Sequence, residues 1–586
     1  MPIPDSLSLR YIETTADIED FLRWLSEDAQ REYLGFDTET SGFSPERERV
    51  RLMQFGDERM GWAFDWEEWR GLARQVFKDY TGQFVGHNVK FDIRHISAAF
   101  GWRVQDWPWH RTHDTMAMAH IADSQARKDL KGLSDKLVDP RASQGQKALD
   151  AGFKANGWDW GTVPTNFPPY WQYGALDPVL TVLIAKQLKG HAPPDLYDLE
   201  MGAIRVAAKM EQTGVRISRA YAVQKATELD EYVRQAKQWL GDVHGLERPT
   251  PMQLLKFFKE HNVPMLEKHT SGGAQSMDKE VLNSIDHPVA KTVLAIRKAE
   301  KLSGTYLWNL ARLADESEFL HPSINTMAAR TGRMSITEPA LQTLPARDPT
   351  VRDAFIPRDD HSLLTIDANQ IEARLTAHFS GDQGLIEAFL SPEDFFCRIA
   401  SDMYKREIKK GMRERDNTKS MVYGLVYGAS VAKMAETAGV PAQEMHVTNA
   451  LFNDRFPGVR KFMTSVVQEG QRRKATAEDG RGYVVTPYGR VLKADRGKEY
   501  ALVNYLIQCH ASEILKKKLV MLDNVLPDEV KILLPIHDEI IFDVPNDIKY
   551  EVKQLAEDTL NESEGYRVPI TWDGDLLDGA WGSKYH

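Results

Sequence analysis

Short apolar runs alternate with segments of helical character through the first 190 residues. Strand-like runs rich in aromatic and apolar side chains cover residues 33–39, 51–55 and 61–64. A shorter run at 84–86 leads directly into a helical segment, and another helix begins near residue 170. This repeated change of period predicts a domain of mixed strands and helices.

The pattern changes after residue 190. Pro193, Pro194 and Asp195 form a turn-rich boundary. Helical periodicity then dominates, with helices predicted over residues 199–211, 221–241 and 252–259. The second region is therefore predicted to be helical.

Two acids mark the ends of apolar strands in the last part of the chain. One run ends at Asp367, and a helix-favouring segment follows at once. Residues 531–536 and 540–544 flank a polar tip, which predicts a hairpin with Asp538 at or beside its turn. Either acid alone is most simply a strand-end cap. If the two meet, their repulsion calls for a cation, and Mg²⁺ held by carboxylates and substrate phosphates supports phosphoryl transfer.

Composition sets limits on the class of protein. A chain of 586 residues with 42% hydrophobic and 27% charged residues fits several globular domains. Two cysteines provide no disulfide framework and favour a reducing compartment. We expect no signal peptide and no membrane span. The net charge of −11 argues mildly against nucleic acid as a partner, but residues 405–419 carry seven basic and three acidic side chains.

A second set of acids lies in the first domain. Asp37 and Glu39 are two apart on one strand and share a face, while Asp92 lies on a predicted helix. Tyr173 and Asp177 are four apart on another helix and also share a face. Four acids at one place require divalent metals, and a tyrosine hydroxyl is able to orient an attacking water. Asp114, by contrast, is interpreted as a helix cap.

A polar stripe follows one face of a predicted helix near residue 420. Arg415, Lys419 and Tyr423 recur every four residues, so two cations precede an aromatic ring. Such a stripe suits a triphosphate with its sugar and base; the alternative is an exposed cationic helix with a tyrosine packed on the core. Arg333, after the flexible Gly332, suits insertion beside a nucleic-acid duplex.

The motifs resemble those of two known families. Asp37-x-Glu39, Asn88-x-x-Phe91-Asp92 and Tyr173-x-x-x-Asp177 resemble the three motifs of DEDDy-type 3′–5′ exonucleases. Residues 320–586 resemble the polymerase domain of family A DNA polymerases, the bacterial polymerase I type also found in phages. Its three motifs are similar to Asp367 through Arg374, to the series Arg415-Lys419-Tyr423-Gly424-Tyr427-Gly428, and to His537-Asp538-Glu539.

The resemblance implies a multidomain chain with α/β and α+β parts. An RNase H-like exonuclease domain at residues 1–190 would precede a right-hand polymerase. Its helical thumb would cover residues 191–320, and helical fingers residues 381–500. An antiparallel-sheet palm would be split between residues 321–380 and 501–586.

The resemblance also implies roles for individual residues. Two Mg²⁺ ions, with Mn²⁺ as a substitute, would bind at Asp367 and Asp538, and two more at the four exonuclease acids, with Tyr173 positioning the water. Lys419 would protonate the leaving pyrophosphate. Glu372, hydrogen-bonded to Tyr427, would occupy the space of a ribose 2′-hydroxyl. The implied nucleotide-binding residues are Arg415, Lys419, Tyr423, Glu372, Tyr427, Gln370 and His537. The implied DNA-binding residues are Arg333, Gln342, Asn504, Gln508 and Glu539.

These roles together imply template-directed DNA synthesis with 3′–5′ proofreading in DNA replication. The partners would be primer-template DNA, deoxynucleoside triphosphates and, as candidates, replisome accessory proteins. We expect a monomer in the cytoplasm of a bacterium, or of the host cell if a phage encodes the chain.

Three other functions remain as alternatives. They are a degrading nuclease whose second half grips DNA, a non-catalytic scaffold, and an RNA polymerase. The intact acid sets argue against the first two, and Glu372 argues against the third.

Several positions depart from the family pattern. Tyr423 stands where phenylalanine is frequent, and its hydroxyl is able to replace the hydrogen bond of a missing 3′-hydroxyl, which predicts acceptance of dideoxynucleotides. The remaining departures affect fine positioning rather than the metal ligands; they are Ala340, Phe396, Tyr500 and Cys509-His510.

Overall fold

The computed structural model describes residues 3–4, 6–27, 31–270, 272–345, 348–477, 479–562 and 565–586. Strands in the N-terminal region are β1 (Ser8–Ile12), β2 (Leu34–Thr40), β3 (Val50–Gly56), β4 (Met60–Asp65), β5 (Phe84–Gly86) and β6 (Thr112–Asp114). Helices there are α1 (Thr15–Glu27), α2 (Trp66–Asp79), α3 (Val89–Phe100), α4 (Thr115–Ala122), α5 (Leu130–Leu137), α6 (Gln144–Asn156) and α7 (Pro168–Leu188). The predicted alternation of strands and helices is confirmed.

These strands form one mixed sheet in the order β1-β4-β3-β2-β5-β6. The meander β2-β3-β4 is antiparallel, whereas β5 and β6 extend the sheet in parallel. Helix α7 packs across the meander at unusually close range. A Cβ at Gly35 would lie 2.4 Å from Pro178 O, and one at Gly61 would lie 1.9 Å from Ala175 O. Glycine at both positions therefore lets a helix that carries site residues lie directly on the sheet.

The next region is mainly helical, as predicted. Its elements are α8 (Pro194–Thr213), β7 (Val215–Arg216), α9 (Arg219–His244), α10 (Pro251–Glu260), α11 (Lys279–Asn283), α12 (Pro288–Glu300), a π-helical turn (Lys301–Leu307), α13 (Trp308–Leu313), β8 (Phe319–Leu320), β9 (Ser323–Asn325) and β10 (Ser335–Thr337). The far part of α9 packs with α10 to α12 around a core of its own, which includes Val233, Phe258 and Val293. Helix α8 instead shares the core of the C-terminal sheet through Val206 and Met210.

Residues 349–500 are mainly helical. Their elements are α14 (Pro349–Arg352), β11 (His361–Ala368), α15 (Ile371–Ser380), α16 (Gln383–Leu390), α17 (Phe395–Tyr404), α18 (Arg413–Val426), α19 (Val431–Ala438), α20 (Ala442–Arg455), α21 (Pro457–Lys474), β12 (Tyr483–Val485) and β13 (Val491–Lys493). Helices α16 to α20 surround a separate apolar core that includes Phe396, Met421 and Phe452. None of the helices in the described ranges is both long and apolar enough to cross a membrane.

The last elements complete an antiparallel sheet. They are α22 (Leu502–Val525), β14 (Lys531–Ile536), β15 (Glu539–Pro545), α23 (Lys549–Asn561) and β16 (Trp572–Leu577). The strands lie in the order β14-β15-β11-β16, and each neighbouring pair is antiparallel. The predicted Asp538 hairpin and the split antiparallel sheet are confirmed. Strand β16 was not predicted, because its sequence WDGDLL breaks the apolar pattern with two acids and a glycine.

Candidate active sites

The first site lies where α7 crosses β2. Asp37 and Glu39 project from one face of β2, and Asp177 reaches them from α7. One carboxylate oxygen from each of the three lies within 4.8 Å of the other two. The structure therefore brings together three of the four acids that the motifs single out.

Burial and mutual repulsion disfavour the charged forms of these acids. Burial, and then the charges of Asp92, Asp177 and Glu39, raise the pKa of Asp37 well above its ordinary value. Burial and then Asp177 do the same to the pKa of Glu39. Three close carboxylates with raised pKa values are the environment that a divalent cation stabilises.

The fourth acid, Asp92, is held by the strand opposite it. The backbone N–H and the hydroxyl of Thr38 donate to Asp92 Oδ1 at 3.0 and 2.6 Å. Burial nevertheless raises the pKa of Asp92 to about 7. Asp92 is not one of the acids whose oxygens meet within 4.8 Å. Asp114 caps α4 by accepting from Met116 N, as its interpretation as a helix cap predicted.

Lys131 is a component of this site that the motifs did not reveal. Its ammonium group on α5 bonds to Asp177 Oδ1 and lies 4.1 Å from the centre of the Tyr173 ring. Burial raises the pKa of Tyr173, so its hydroxyl stays protonated. Lys131 thus links the two residues of the third motif. A lone lysine in an ordinary helical pattern carries no signal that would have identified it.

An aromatic pair, of which Phe43 is exposed and Phe91 is half-buried, borders the first site. Phe43 follows β2 by three residues and is 82% exposed, and its ring centre lies 6.5 Å from that of Phe91. Both rings line a cleft of about 320 Å³ that α3, α8 and β9 also border. An exposed aromatic ring beside a polar cleft is suited to stacking on a base of a single strand.

The second site lies at one end of the antiparallel sheet. Asp367 is the penultimate residue of β11 and pairs in register with Glu539, while Asp538 occupies the turn before β15. Ala368 N donates to Asp538 O at 3.1 Å, which fixes the turn against β11. His537 adopts a positive φ of 57° in this turn. The two strand-end acids therefore belong to one site, as predicted.

The acids of the second site also resist ionisation. Burial, followed by the charges of Glu372 and Asp367, raises the pKa of Asp538 to about 7. Asp367 is accessible to solvent, but nearby protein atoms displace bulk water, and this desolvation, followed by Glu539, raises its pKa. Glu539 itself is paired with Lys584 at 2.7 Å, so its contact with DNA stays a prediction.

Glu372 stands beside the two acids with its carboxylate held from two sides. Arg333 Nη2 donates to Glu372 Oε1 at 2.6 Å, and the Tyr427 hydroxyl donates to the same oxygen at 3.2 Å. Only 6% of the Glu372 side chain is exposed, compared with 40% for Arg333. The predicted bond to Tyr427 is present. The Arg333 bond was not predicted, because the two residues are 39 positions apart.

The predicted polar stripe lies on α18 and faces Phe396. Arg415 bonds Asp394 through Nε and Nη2, both at 3.0 Å. The Phe396 ring centre lies 5.8 Å from the Arg415 guanidinium and 5.9 Å from Lys419 Nζ. It also lies 5.8 Å from the Tyr423 ring centre. Phe396, one of the departures from the family pattern, therefore lies against all three members of the stripe.

The other predicted contact residues lie around the second site. The Gln342 side chain accepts from Ile336 N at 2.5 Å, and Asn504 Nδ2 donates to Val426 O at 3.0 Å. Gln508 is one helical turn further along α22 and is half-buried. Of the departures, Cys509 is buried, and His510 bonds Glu513 and Tyr566 at 3.3 and 3.0 Å.

Each site contains a side-chain amide with at least one buried polar atom that has no partner among the described residues. Gln54 is fully buried and pairs in register with Asp37, and neither polar atom of its side chain is bonded. Gln370 Oε1, beside Asp367 in sequence, is likewise buried and unbonded. Unpaired polar atoms beside uncompensated carboxylates are what a site for hydrated cations and phosphates provides. The residues present therefore fit divalent metal ions at both sites.

Comparisons with known proteins agree with this arrangement. The family model described as DNA polymerase family A matches residues 217–581, and the one described as 3′-5′ exonuclease matches residues 9–191. The chain is 26% identical to the DNA polymerase of Mycobacterium phage D29, over 99% of this chain and 98% of that protein. It is 30% identical to DNA polymerase I of Lactococcus lactis subsp. lactis over 67% of this chain, but spans only 46% of that relative.

A solved structure provides a match to the fold. The polymerase domain of Pol1 from M. smegmatis, in complex with a DNA primer-template and dNTP, matches with a TM-score of 0.82 and 24% identity. The match covers 99% of this chain and all of that one. With the family model matching more than half of its length, the chain belongs to DNA polymerase family A and carries a 3′–5′ exonuclease domain.

Proposed function

We propose that the chain extends a primer 3′ end with deoxynucleotides directed by a template strand. We further propose that its exonuclease site removes mispaired 3′-terminal nucleotides during DNA replication. The observation that carries both proposals is the presence of two separate groups of neighbouring carboxylates, one where α7 crosses β2 and one at the end of the antiparallel sheet, in which the pKa values are raised. Each group is accompanied by the side chains that its chemistry requires.

The metal-binding roles follow from these acids. Asp367 and Asp538 would hold two Mg²⁺ ions, and Asp37, Glu39, Asp92 and Asp177 would hold two more, with Mn²⁺ as a substitute. When bound, such ions lower the pKa of an attacking hydroxyl or water and offset charge on the phosphate oxygens.

The side chains on α18 would bind and orient the incoming nucleotide. Arg415 and Lys419 would neutralise its phosphates, and Lys419, which is exposed, would donate a proton to the leaving pyrophosphate. Desolvation, followed by Glu372 and Asp538, raises the pKa of Tyr423 to about 12, so its hydroxyl remains a donor towards the sugar. Positioning of the reacting groups and stabilisation of the developing charge would supply most of the rate enhancement.

Other residues would define the sugar and the duplex. Glu372, fixed by its two hydrogen bonds, would exclude a ribose 2′-hydroxyl. Contacts to the primer, the template or the nucleotide are proposed for Arg333, Gln342, Gln370, Tyr427, Asn504, Gln508, His537 and Glu539.

The exonuclease site would act on a frayed 3′ end. Tyr173 would hold the attacking water with its hydroxyl, and Phe43 and Phe91 would stack on the terminal bases. A mismatched primer end frays more readily than a matched one, so it would reach this site more often.

A primer-extension assay tests both activities. A 5′-labelled primer with a 3′ mismatch is annealed to a template and incubated with the protein and Mg²⁺, with and without deoxynucleotides. We expect shortening without nucleotides and full-length product with them. Asp538→Asn serves as the matched control, because it should keep the shortening and lose the extension.

The alternatives give different results in the same assay. Shortening without any extension would leave a nuclease whose second half grips DNA. Extension without shortening would mean that the acids of the first site do not perform proofreading.

A further inference from the structure

The loop from Met327 to Arg333 lies between the exonuclease domain and the polymerase site. On one side, His120 Nε2 donates to Ala329 O at 3.1 Å, and Lys128 Nζ donates to Met327 O and, at 3.4 Å, to Ala328 O. Both residues belong to the exonuclease domain. Three consecutive carbonyls of the loop are therefore held by side chains from another domain.

His120 is anchored in turn by buried charges. Its Nε2 must carry the proton that bonds Ala329 O, so Nδ1 accepts from Arg490 Nη1 at 3.1 Å. Arg490 also bonds Glu200, and Lys516 bonds both oxygens of Glu200 at 2.7 and 2.9 Å. Glu513 lies 3.4 Å from Arg490 Nε. Two buried cations thus face two buried anions, and His120 is neutral because its Nδ1 accepts a hydrogen bond while its Nε2 donates one.

The far end of the loop reaches the polymerase site. Ser512 Oγ on α22 donates to Gly332 O at 2.8 Å. Gly332 has a φ of +69°. A Cβ at this position would lie 3.5 Å from Lys516 Nζ and 3.7 Å from Arg490 Cζ, so the loop packs directly against the buried charges. The next residue is Arg333, whose guanidinium holds Glu372. The position of Arg333 is therefore set by contacts that begin in the exonuclease domain.

We propose that His120 and Lys128 of the exonuclease domain are positioning residues for sugar selection at the polymerase site. They hold the loop from Met327 to Arg333, and Arg333 in turn orients the Glu372 carboxylate. This inference rests on the proposed function, because it takes Glu372 as the residue that excludes a ribose. Neither His120 nor Lys128 is among the residues proposed to contact the nucleotide or the metal ions.

The test measures the ratio of kcat/KM for a deoxynucleotide to that for the matching ribonucleotide. Single-nucleotide incorporation is followed with the full chain, and every variant also carries Asp37→Ala so that trimming does not interfere. We expect His120→Ala and Lys128→Ala each to lower the ratio about fivefold, since the first removes one hydrogen bond and the second two hydrogen bonds that restrain the loop. His113→Ala is the matched control, because His113 bonds Tyr197 and Gln83 instead of the loop.

Two further variants separate positioning from a general loss of structure. His120→Gln keeps one donor and one acceptor and should restore most of the ratio. In an Arg333→Ala background, His120→Ala should lower the ratio no further, because its effect passes through Arg333. If His120→Ala does not fold, Lys128→Ala, which leaves the buried charges intact, carries the same expectation.

Glu372→Ala distinguishes failure of the inference from failure of the proposed function. If Glu372→Ala lowers the ratio while His120→Ala and Lys128→Ala leave it unchanged, the positioning role is refuted. An unchanged ratio in Glu372→Ala would refute the sugar-selecting role itself, and the inference with it.

Discussion

At the scale of single residues, the role of each carboxylate in the two sites depends on whether neighbouring donors or cations compensate its negative charge. Asp37, Glu39 and Asp538 have raised pKa values because protein surrounds them and further acids face them. Glu372 differs, because Arg333 and Tyr427 hold its carboxylate in one orientation. Asp37, Glu39 and Asp538 are therefore suited to binding cations, whereas Glu372 is suited to filling a fixed volume beside the nucleotide site.

Glu372→Ala should raise ribonucleotide incorporation, because it opens the space for a 2′-hydroxyl. We expect the preference for deoxynucleotides to fall by roughly 10- to 100-fold, the range over which small steric changes act in a pocket. Single-nucleotide kinetics with both sugars measure this directly. Unchanged sugar selectivity would remove the proposed role, and Glu407→Ala, at an exposed position before α18, provides a surface control.

Tyr423→Phe should reduce the acceptance of dideoxynucleotides. The hydroxyl is protonated at neutral pH and is able to supply the hydrogen bond that a missing 3′-hydroxyl would make. Loss of one such bond corresponds to about a tenfold change in relative kcat/KM. Competition between a dideoxynucleotide and its deoxy counterpart in primer extension measures the ratio. Equal termination by both proteins would contradict the prediction.

At the scale of elements, a residue that caps α17 holds one of the cations of α18 in place. Asp394 caps α17 by accepting from Cys397 N and also holds Arg415 with two hydrogen bonds. Burial alone would raise the pKa of Asp394, but the bond from Arg415 holds it well below its usual range. The ends of α17 and α18 are thus joined at the place where phosphates are proposed to bind.

Asp394→Asn should weaken nucleotide binding without affecting the chemical step. A neutral amide keeps the helix cap but holds the Arg415 guanidinium less firmly, so we expect KM for deoxynucleotides to rise about fivefold with kcat little changed. Asp416→Asn is the control, because Asp416 pairs with Arg415 at 3.3 Å from an exposed position. Similar KM values in both variants would contradict the role of Asp394.

At the scale of the whole molecule, the two candidate active sites are separate, but buried ion pairs and hydrogen bonds join the domains that carry them. Lys90 and Arg94 of the exonuclease domain bond the buried Glu211 of α8, and His120 joins the charges around Arg490. Buried ion pairs tolerate the loss of one partner poorly. The exonuclease domain is therefore part of the structural support of the polymerase domain.

Asp37→Ala should abolish trimming and leave polymerisation intact, because Asp37 touches none of the contacts that join the domains. We expect the rate of 3′ trimming to fall by roughly a thousandfold or more, as when one member of a catalytic set is removed. Degradation of a labelled single strand measures trimming, and extension of a matched primer measures synthesis. Equal loss of both would show that the sites are not independent.

His120 should make stability depend on pH. Burial, followed by the charges of Arg490, Lys128 and Lys516, holds the pKa of His120 well below its usual value, although Glu200 balances part of that charge. The unfolded chain takes up a proton below about pH 6.5, whereas the folded protein does not, so stability decreases as the pH falls.

The comparison with His120→Gln isolates this effect. The advantage of the wild-type chain over His120→Gln in free energy of unfolding should be smaller by about 1.4 kcal/mol at about pH 5.5 than at about pH 7.5. Urea unfolding followed by tryptophan fluorescence measures both proteins, and contributions from other histidines cancel. A difference that does not change with pH would mean that His120 is not held neutral.

The sequence by itself determined the features that depend on neighbouring residues. Apolar runs predicted β2 and the Asp538 hairpin, and the four-residue recurrence of Arg415, Lys419 and Tyr423 marked one face of α18, because strand and helix periods are properties of a few consecutive residues. Fixed spacing also placed Asp37 and Glu39, and Tyr173 and Asp177, on shared faces. The ordered motifs then identified the family.

Only the tertiary structure decided which distant residues meet. Lys131 at Asp177, Arg333 at Glu372, and His120 at the loop before Arg333 are contacts between separate elements with no local signal. Strand β16 likewise forms because β11 offers it an edge, although its own sequence has little strand character. Packing and the pairing of buried charges select such contacts, and both depend on the complete fold instead of on spacing along the chain.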